Sequence, residues 1–195
     1  MATAKRARTR RHGRAVLLVG FMGAGKSTAG RALAERLECA FEDLDERIAR
    51  REGRTVPEIF RDSGEAHFRR GERAALREVL DELGAGAEKV VALGGGAFGQ
   101  LANWGLIEAS GVPTLFLDAP VEELWRRCRG QAEAQGERRP LLKSLNEFRE
   151  LYQARRPRYL KASHRLETGG KEIEELVAEM VEVLDWDRHR RRPSG

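Results

Sequence analysis

Three glycines, a lysine and two hydroxyls are gathered in the nine residues Gly20-Phe21-Met22-Gly23-Ala24-Gly25-Lys26-Ser27-Thr28. Gly20-x4-Gly25-Lys26-Ser27 fills the pattern G-x4-G-K-[ST] in full. Glycines leave no Cβ in the way, so successive backbone N–H groups can converge on phosphate oxygens. The amino end of a following helix favours the same negative charge. In that arrangement Lys26 reaches the β- and γ-phosphates and Ser27 offers its hydroxyl to Mg²⁺. Gly23, Ala24 and Gly25 wrap the phosphates, and Thr28 holds the α-phosphate end. The ligand expected at this turn is therefore a nucleoside triphosphate with magnesium. A phosphate loop alone does not separate a motor, a switch, a transporter or a small-molecule kinase.

Other residues bear on what receives the phosphate. Asp43 and Asp45, two apart in "EDLDE", can divide labour, one toward a metal and one toward an acceptor. The alternative is that they open a helix, whose dipole favours acids in its first turn, a role that Glu42 and Glu46 fit better. Gly94-Gly95-Gly96 follows the apolar run "VVAL" and lets backbone approach a compact ligand closely. That run ends without the acid that other phosphate-loop proteins often keep there, so an acid for the metal must come from another segment. Arginines recur in "FRRGE", "RRPLL" and "ARRPRY", and the planar guanidinium fork suits a carboxylate or a phosphate.

Elements must hold these residues in place. Short β-like runs at 15–20, 39–43, 89–93, 114–118 and 164–168 alternate with helical patterns. The clearest helix is the last, where Ile173, Leu176, Val177, Met180, Val181 and Leu184 follow the i, i+3, i+4, i+7 rule. Alternation of this kind predicts an α/β fold of three layers, α/β/α, around a five-stranded parallel sheet. Ligands of such sheets bind at the carboxyl ends of the strands, which is where the glycine loop, "EDLDE" and "GGG" fall. The polar, glycine-punctuated stretch 130–143 reads as a mobile lid.

Composition bounds the rest. The chain has 195 residues, room for one domain. No apolar run approaches the roughly 20 residues of a membrane span, and the amino end lacks a secretory signal's apolar middle, so the expected location is the cytoplasm. Cys39 and Cys128 are isolated and read as reduced thiols. The net charge of +5 is carried by the ends: residues 1–14 hold six Lys/Arg and no acid, and residues 185–195 hold four Arg against two Asp, leaving 15–184 at −3. Both ends read as disordered basic tails flanking one domain over 15–184. Without interleaved aromatics or a folded reader, a specific nucleic-acid partner is not expected. His12 and His189 lie in the tails, and His67 and His164 have no Cys, His or Asp partners at ligand spacing. Trp104, Trp125 and Trp186 read as packing or tail contacts, and Phe41 and Phe60 as either pocket wall or core.

The ordered set "GFMGAGKSTAGRALAERL", "FEDLDERI", "GRTVPEIFRDSGEAHFRRGE", "VVALGGGA", "RRPLL" and "RRPRY" resembles the shikimate kinase family, whose fold is close to that of the nucleoside monophosphate kinases. The resemblance spans about residues 15–184. It implies transfer of a phosphoryl group from ATP to the 3-hydroxyl of shikimate, a step of aromatic amino acid biosynthesis, with Mg²⁺ bound and a monomer expected. It further implies that Asp43 helps hold Mg²⁺ and that Asp45 orients the acceptor hydroxyl or acts as base. By the same likeness Gly94, Gly95 and Gly96 face the acceptor ring, and Arg69 and Arg155 grip its carboxylate. Glu72 braces Arg69, Arg127 lines the adenine pocket, and Arg139 in the lid faces acceptor, ATP and transferring phosphate. Arg138 beside Arg139 and Arg156 beside Arg155 leave a one-residue slip open. Gly71 inside an expected helix, a charged Glu42, the long lid and the two tails depart from the family pattern. A kinase for gluconate or another polyol acid is the nearest rival, and a kinase-like metabolite sensor is the rival of another class.

Overall fold

The computed structural model describes residues 13–135 and 144–186. The lid residues Arg138 and Arg139, with His12 and His189, lie outside the described residues. Five parallel strands, β1 (Val16–Val19), β2 (Ala40–Asp43), β3 (Lys89–Ala92), β4 (Thr114–Asp118) and β5 (His164–Glu167), form one sheet in the order β2-β3-β1-β4-β5. All five fall on the apolar runs expected. Central β1 is buried along its whole length, with Val16 paired to Val90 of β3 and Leu17 to Thr114 of β4. Each such buried aliphatic side chain contributes roughly 1.5–3 kcal/mol through removal from water.

Helices α1 (Lys26–Leu37), α2 (Leu44–Glu52), α3 (Val56–Gly84), α4 (Leu101–Ser110), α5 (Val121–Gln135), α6 (Leu145–Tyr159) and α7 (Ile173–Val183) connect and cover the strands, with a short 3₁₀ turn at Ala97–Gly99. Helix α1 packs on β3 and α7, α3 lies between α2 and α4, and α6 rests on α5. Tyr159 of α6 places its ring 5.3 Å from Phe116 of β4. Among the described residues no helix is long and apolar enough to cross a membrane.

Helix α3 opens on a capping box signalled by Thr55-x-x-Glu58: the Glu58 amide donates to Thr55 Oγ1 at 3.4 Å, and the Thr55 amide donates to Glu58 Oε2 at 2.8 Å. It kinks at Gly64, with φ 77° and ψ 171°, a conformation open almost solely to glycine. Gly71, the glycine expected inside a helix, is helical; a Cβ there would meet Ile48 Cγ2 of α2 at an ordinary 3.8 Å.

Glu42 is also accommodated. Its side chain is only 12% exposed, and its carboxylate accepts from Arg47 at 3.2 Å and from Lys89 at 3.0 Å. The same two cations bind Glu82, and the hydrogen bonds from Arg47 and then Lys89 hold its carboxyl down to about 2. At the other end, Asp185 turns the chain with φ 54° and Trp186 is buried against the core, its amide donating to Val181 O at 3.2 Å. The packed chain thus runs on to Trp186, a residue the sequence reading placed in the tail.

Candidate active site

The loop from Gly20 to Gly25 leaves β1 at its carboxyl end and enters α1, with Gly25 as the N-cap at φ 82°. Gly23 is needed for a different reason. A Cβ there would lie 2.6 Å from Leu124 O and 2.8 Å from Cys128 Sγ, so α5 packs directly on the loop. Phe21 is buried, and its ring meets Phe148 and Tyr152 edge-on at 5.0 and 5.5 Å. Lys26 folds back, its ammonium donating to Gly20 O at 3.0 Å and Phe21 O at 3.1 Å. Burial pushes the Lys26 ammonium below the ordinary lysine range, while the charges of Asp45 and Asp43 pull the other way. Ala24 is buried, and Thr28 is exposed at the start of α1.

Asp43 ends β2 and performs two tasks. One oxygen accepts from the Asp45 amide at 3.0 Å, capping α2, and the other accepts from Ser27 Oγ at 2.8 Å. One carboxylate thus both caps the helix and touches the phosphate loop. Asp45, in the first turn of α2, points to the glycine turn after β3. Its carboxyl is pushed up to about 6, first by burial and next by the charge of Asp43, against the opposing pull of Lys26 and Arg69.

The three glycines after β3 are each faced by a different side chain. A Cβ at Gly94 would meet Asp45 Oδ1 at 2.6 Å, and one at Gly96 would meet Arg69 Nη1 at 2.8 Å. A Cβ at Gly95 would lie 3.7 Å from Arg155 Nη1 and 3.8 Å from the Tyr159 hydroxyl. The backbone here is bare because one carboxylate and two guanidinium groups close over it. Arg69 is braced by Glu72, which is 1% exposed and accepts from Nη1 at 3.0 and 3.2 Å. Burial raises the Glu72 carboxyl above its usual range, with Arg69 opposing.

Arg155 and its neighbour part company. Arg155 lies over the Phe21 ring at 5.8 Å, toward the phosphate and glycine loops. Arg156 turns away, donating to Asp118 Oδ2 at 2.8 Å and to the Tyr152 hydroxyl at 3.0 Å. Arg127 of α5 binds Glu123 and donates to Thr168 O at 3.1 Å, next to the turn after β5. Phe41 packs on α1, where a Cβ at Gly30 would strike its ring at 2.5 Å, while Phe60 stacks on Phe68 at 4.6 Å and stays 38% exposed. His67 binds Glu52 at 3.0 Å.

Sequence reasoning missed Tyr159. The residue is 1% exposed, its hydroxyl donates to Gly95 O, and burial pushes its phenol up to about 12. Its spacing of four from Arg155 puts both on one face of α6, a signal present in "RRPRY" but masked by the arginines.

Comparison with known proteins bears on this arrangement. A family model described as "SKI: Shikimate kinase" matches residues 22–185. The shikimate kinase of Symbiobacterium thermophilum is 42% identical over 173 residues, covering 87% of this chain and 95% of that protein. That of Persephonella marina is 37% identical over 169 residues, covering 86% and 97%. Among solved structures, shikimate kinase from Acinetobacter baumannii in complex with shikimate superposes with a TM-score of 0.73 at 34% identity, covering 88% of this chain and 93% of that one.

Proposed function

The chain belongs to the shikimate kinase family, and from that premise we infer which of its side chains move a phosphoryl group from ATP to the 3-hydroxyl of shikimate, giving ADP and shikimate 3-phosphate. The observation that carries the assignment is the glycine turn 94–96, closed over by Asp45, Arg155 and Arg69 beside Lys26 and Ser27. One carboxylate for a hydroxyl and two guanidiniums for a carboxylate fit a hydroxylated cyclic acid.

The triphosphate lies along the amides of Gly23 to Thr28, and Lys26 leaves the carbonyls of Gly20 and Phe21 for the β- and γ-phosphates. Ser27 and Asp43, a hydroxyl and a carboxylate 2.8 Å apart, are hard oxygen donors that suit Mg²⁺. Among the described residues no three His, Cys, Asp or Glu side chains form a ready-made cation cage. Ser27 and Asp43 would hold Mg²⁺ from the protein side, and the bound ion would neutralise charge on the triphosphate. Asp45 accepts a hydrogen bond from the 3-hydroxyl and takes its proton as the O–P bond forms. The bond from Pγ to the bridging oxygen breaks, and ADP leaves with the electron pair. A carboxyl near 6 is ionised at neutral pH yet basic enough to share that proton. Arg69, braced by Glu72, and Arg155 hold the acceptor carboxylate. Arg127 lines the adenine, and Arg139, outside the described residues, meets the transferring phosphate.

We place the reaction in the cytoplasm and expect a monomer with no specific nucleic-acid partner. Coupled ADP release, measured with and without acceptor, tests the assignment. Shikimate should support turnover and gluconate should not, while Lys26→Ala should abolish it. Faster release with gluconate, or robust turnover by Lys26→Ala, would overturn the reading.

A further inference from the structure

The guanidinium of Arg69 has no idle edge. Its Nη1 donates to both oxygens of Glu72, while Nε at 3.2 Å and Nη2 at 3.0 Å both donate to Glu65 Oε1. Its flat face lies over Gly96, where a Cβ would meet Nη1, Nη2 and Cζ at 2.8, 3.0 and 3.2 Å. The Nε/Nη2 edge is the pair of parallel donors that grips a carboxylate with two bonds. In the acceptor-free molecule that edge is already taken by a carboxylate of the chain itself.

The two acids differ in one decisive respect. Glu72 is 1% exposed and Glu65 is 67% exposed. A buried partner cannot leave without stranding a charge. An exposed partner four residues away on a helix is held weakly and released easily. Glu65 also follows Gly64, where α3 departs from helical geometry. The Glu65 side chain faces solvent over most of its surface and so has room to swing aside.

We propose that Glu65 is a specificity-determining residue that holds the carboxylate-binding edge of Arg69 until the acceptor's own carboxylate displaces it. The proposal rests on the reading that Arg69 grips that carboxylate. Glu65 pre-orients the guanidinium and keeps a positive charge from standing bare beside the glycine turn 94–96. It also sets a threshold: an acceptor that lacks a carboxylate gains nothing by evicting it.

The test is steady-state kinetics of the full chain carrying Glu65→Gln, Arg69→Ala, or both, with shikimate as the varied acceptor at saturating ATP. Loss of a weak helical ion pair and of a like charge beside the ligand corresponds to roughly a two- to fivefold effect. Glu65→Gln should lower the KM for shikimate by that factor, leave kcat and the KM for ATP within about twofold, and lose its effect in the Arg69→Ala background. Direct titration of shikimate onto the same variants should show the same shift in Kd. An unchanged or raised KM in Glu65→Gln, with Arg69→Ala strongly impaired, would overturn the proposal while leaving the acceptor grip intact. An Arg69→Ala protein with an unaltered KM would overturn the grip itself and the proposal with it. A lowered KM that persists in the double variant would make Glu65 a general repulsive charge and would also overturn it.

Discussion

Asp45→Asn should make the free protein more stable and the enzyme nearly inert. The carboxyl is raised from an ordinary 3.8 to about 6, first by burial and next by Asp43, even after the help of Lys26 and Arg69. A carboxyl whose folded pKa lies above its unfolded one binds its proton more tightly when folded. Its ionised form therefore costs stability, little at pH 4 and the full amount above about pH 6. Two pH units correspond to at most about 3 kcal/mol, and roughly 2 kcal/mol remains after allowing for partial access of water. Asparagine has no charge to desolvate. Its Tm should exceed that of the parent by roughly 4–8 °C at pH 8, a gap that narrows steadily on acidification toward pH 4. Turnover should meanwhile fall by roughly 10²–10⁴, the usual worth of a positioned base, with the affinity for ATP little changed. Thermal melts across pH and coupled kinetics report the two halves separately. An Asn variant no more stable than the parent at pH 8, or a gap that ignores pH, would refute the electrostatic account. A variant altered only in ATP affinity would refute the acceptor role.

The same carboxylate should set the acid limb of activity: kcat/KM for shikimate should fall tenfold per pH unit below about pH 6, and a limb centred near 4 would contradict this. Gly96→Ala, whose Cβ would stand 2.8 Å from Arg69 Nη1, should disturb the Arg69–Glu72 pair and raise the KM for shikimate roughly ten- to hundredfold, as expected from a lost charged hydrogen bond. An unchanged KM would show that the guanidinium does not sit over the turn in the working enzyme. Tyr159→Phe strips the Gly95 carbonyl of a buried donor, so stability should drop by about 1–3 kcal/mol, read as a lower melting temperature, together with weaker shikimate binding. Retention of both would mean that the hydroxyl holds nothing in place.

The sheet was legible because its signals are local. Each strand is a short apolar run bounded by a turn, and the crossover helices repeat their apolar residues at a period that needs no tertiary knowledge. The phosphate loop was legible for the same reason, since Gly20 to Thr28 form one continuous segment with a fixed geometry. Residues brought together from distant segments were harder to read. Nothing in the sequence tells Arg155 from Arg156; the difference lies in Asp118, 38 residues away, which takes the second of them. Gly71 and Gly64 look alike as interruptions of α3, and only packing reveals that α2 accepts the first as helix while the second adopts a non-helical φ of 77°. Glu42 looked out of place because its partners, Arg47 and Lys89, come from two other elements. Trp186 was assigned by the basic composition around it, and a single turn at Asp185 puts it in the core.

The cluster around Glu42 bears on how the protein behaves in a crowded solution. The outermost strands of the sheet are β2 and β5, and a bare outer strand invites a second chain to zip alongside it and start a fibril. Here the rim strands read Ala-Phe-Glu-Asp and His-Arg-Leu-Glu, whereas β1 and β4 are buried along their full length. An incoming strand would have to set its side chains beside Glu42 and its cations, or beside Arg165 and Glu167, which disfavours an apolar intruder. Substituting Glu42 with valine would restore apolar continuity to that border. It should also lower solubility, because a charged residue on a rim strand discourages pairing with a second chain.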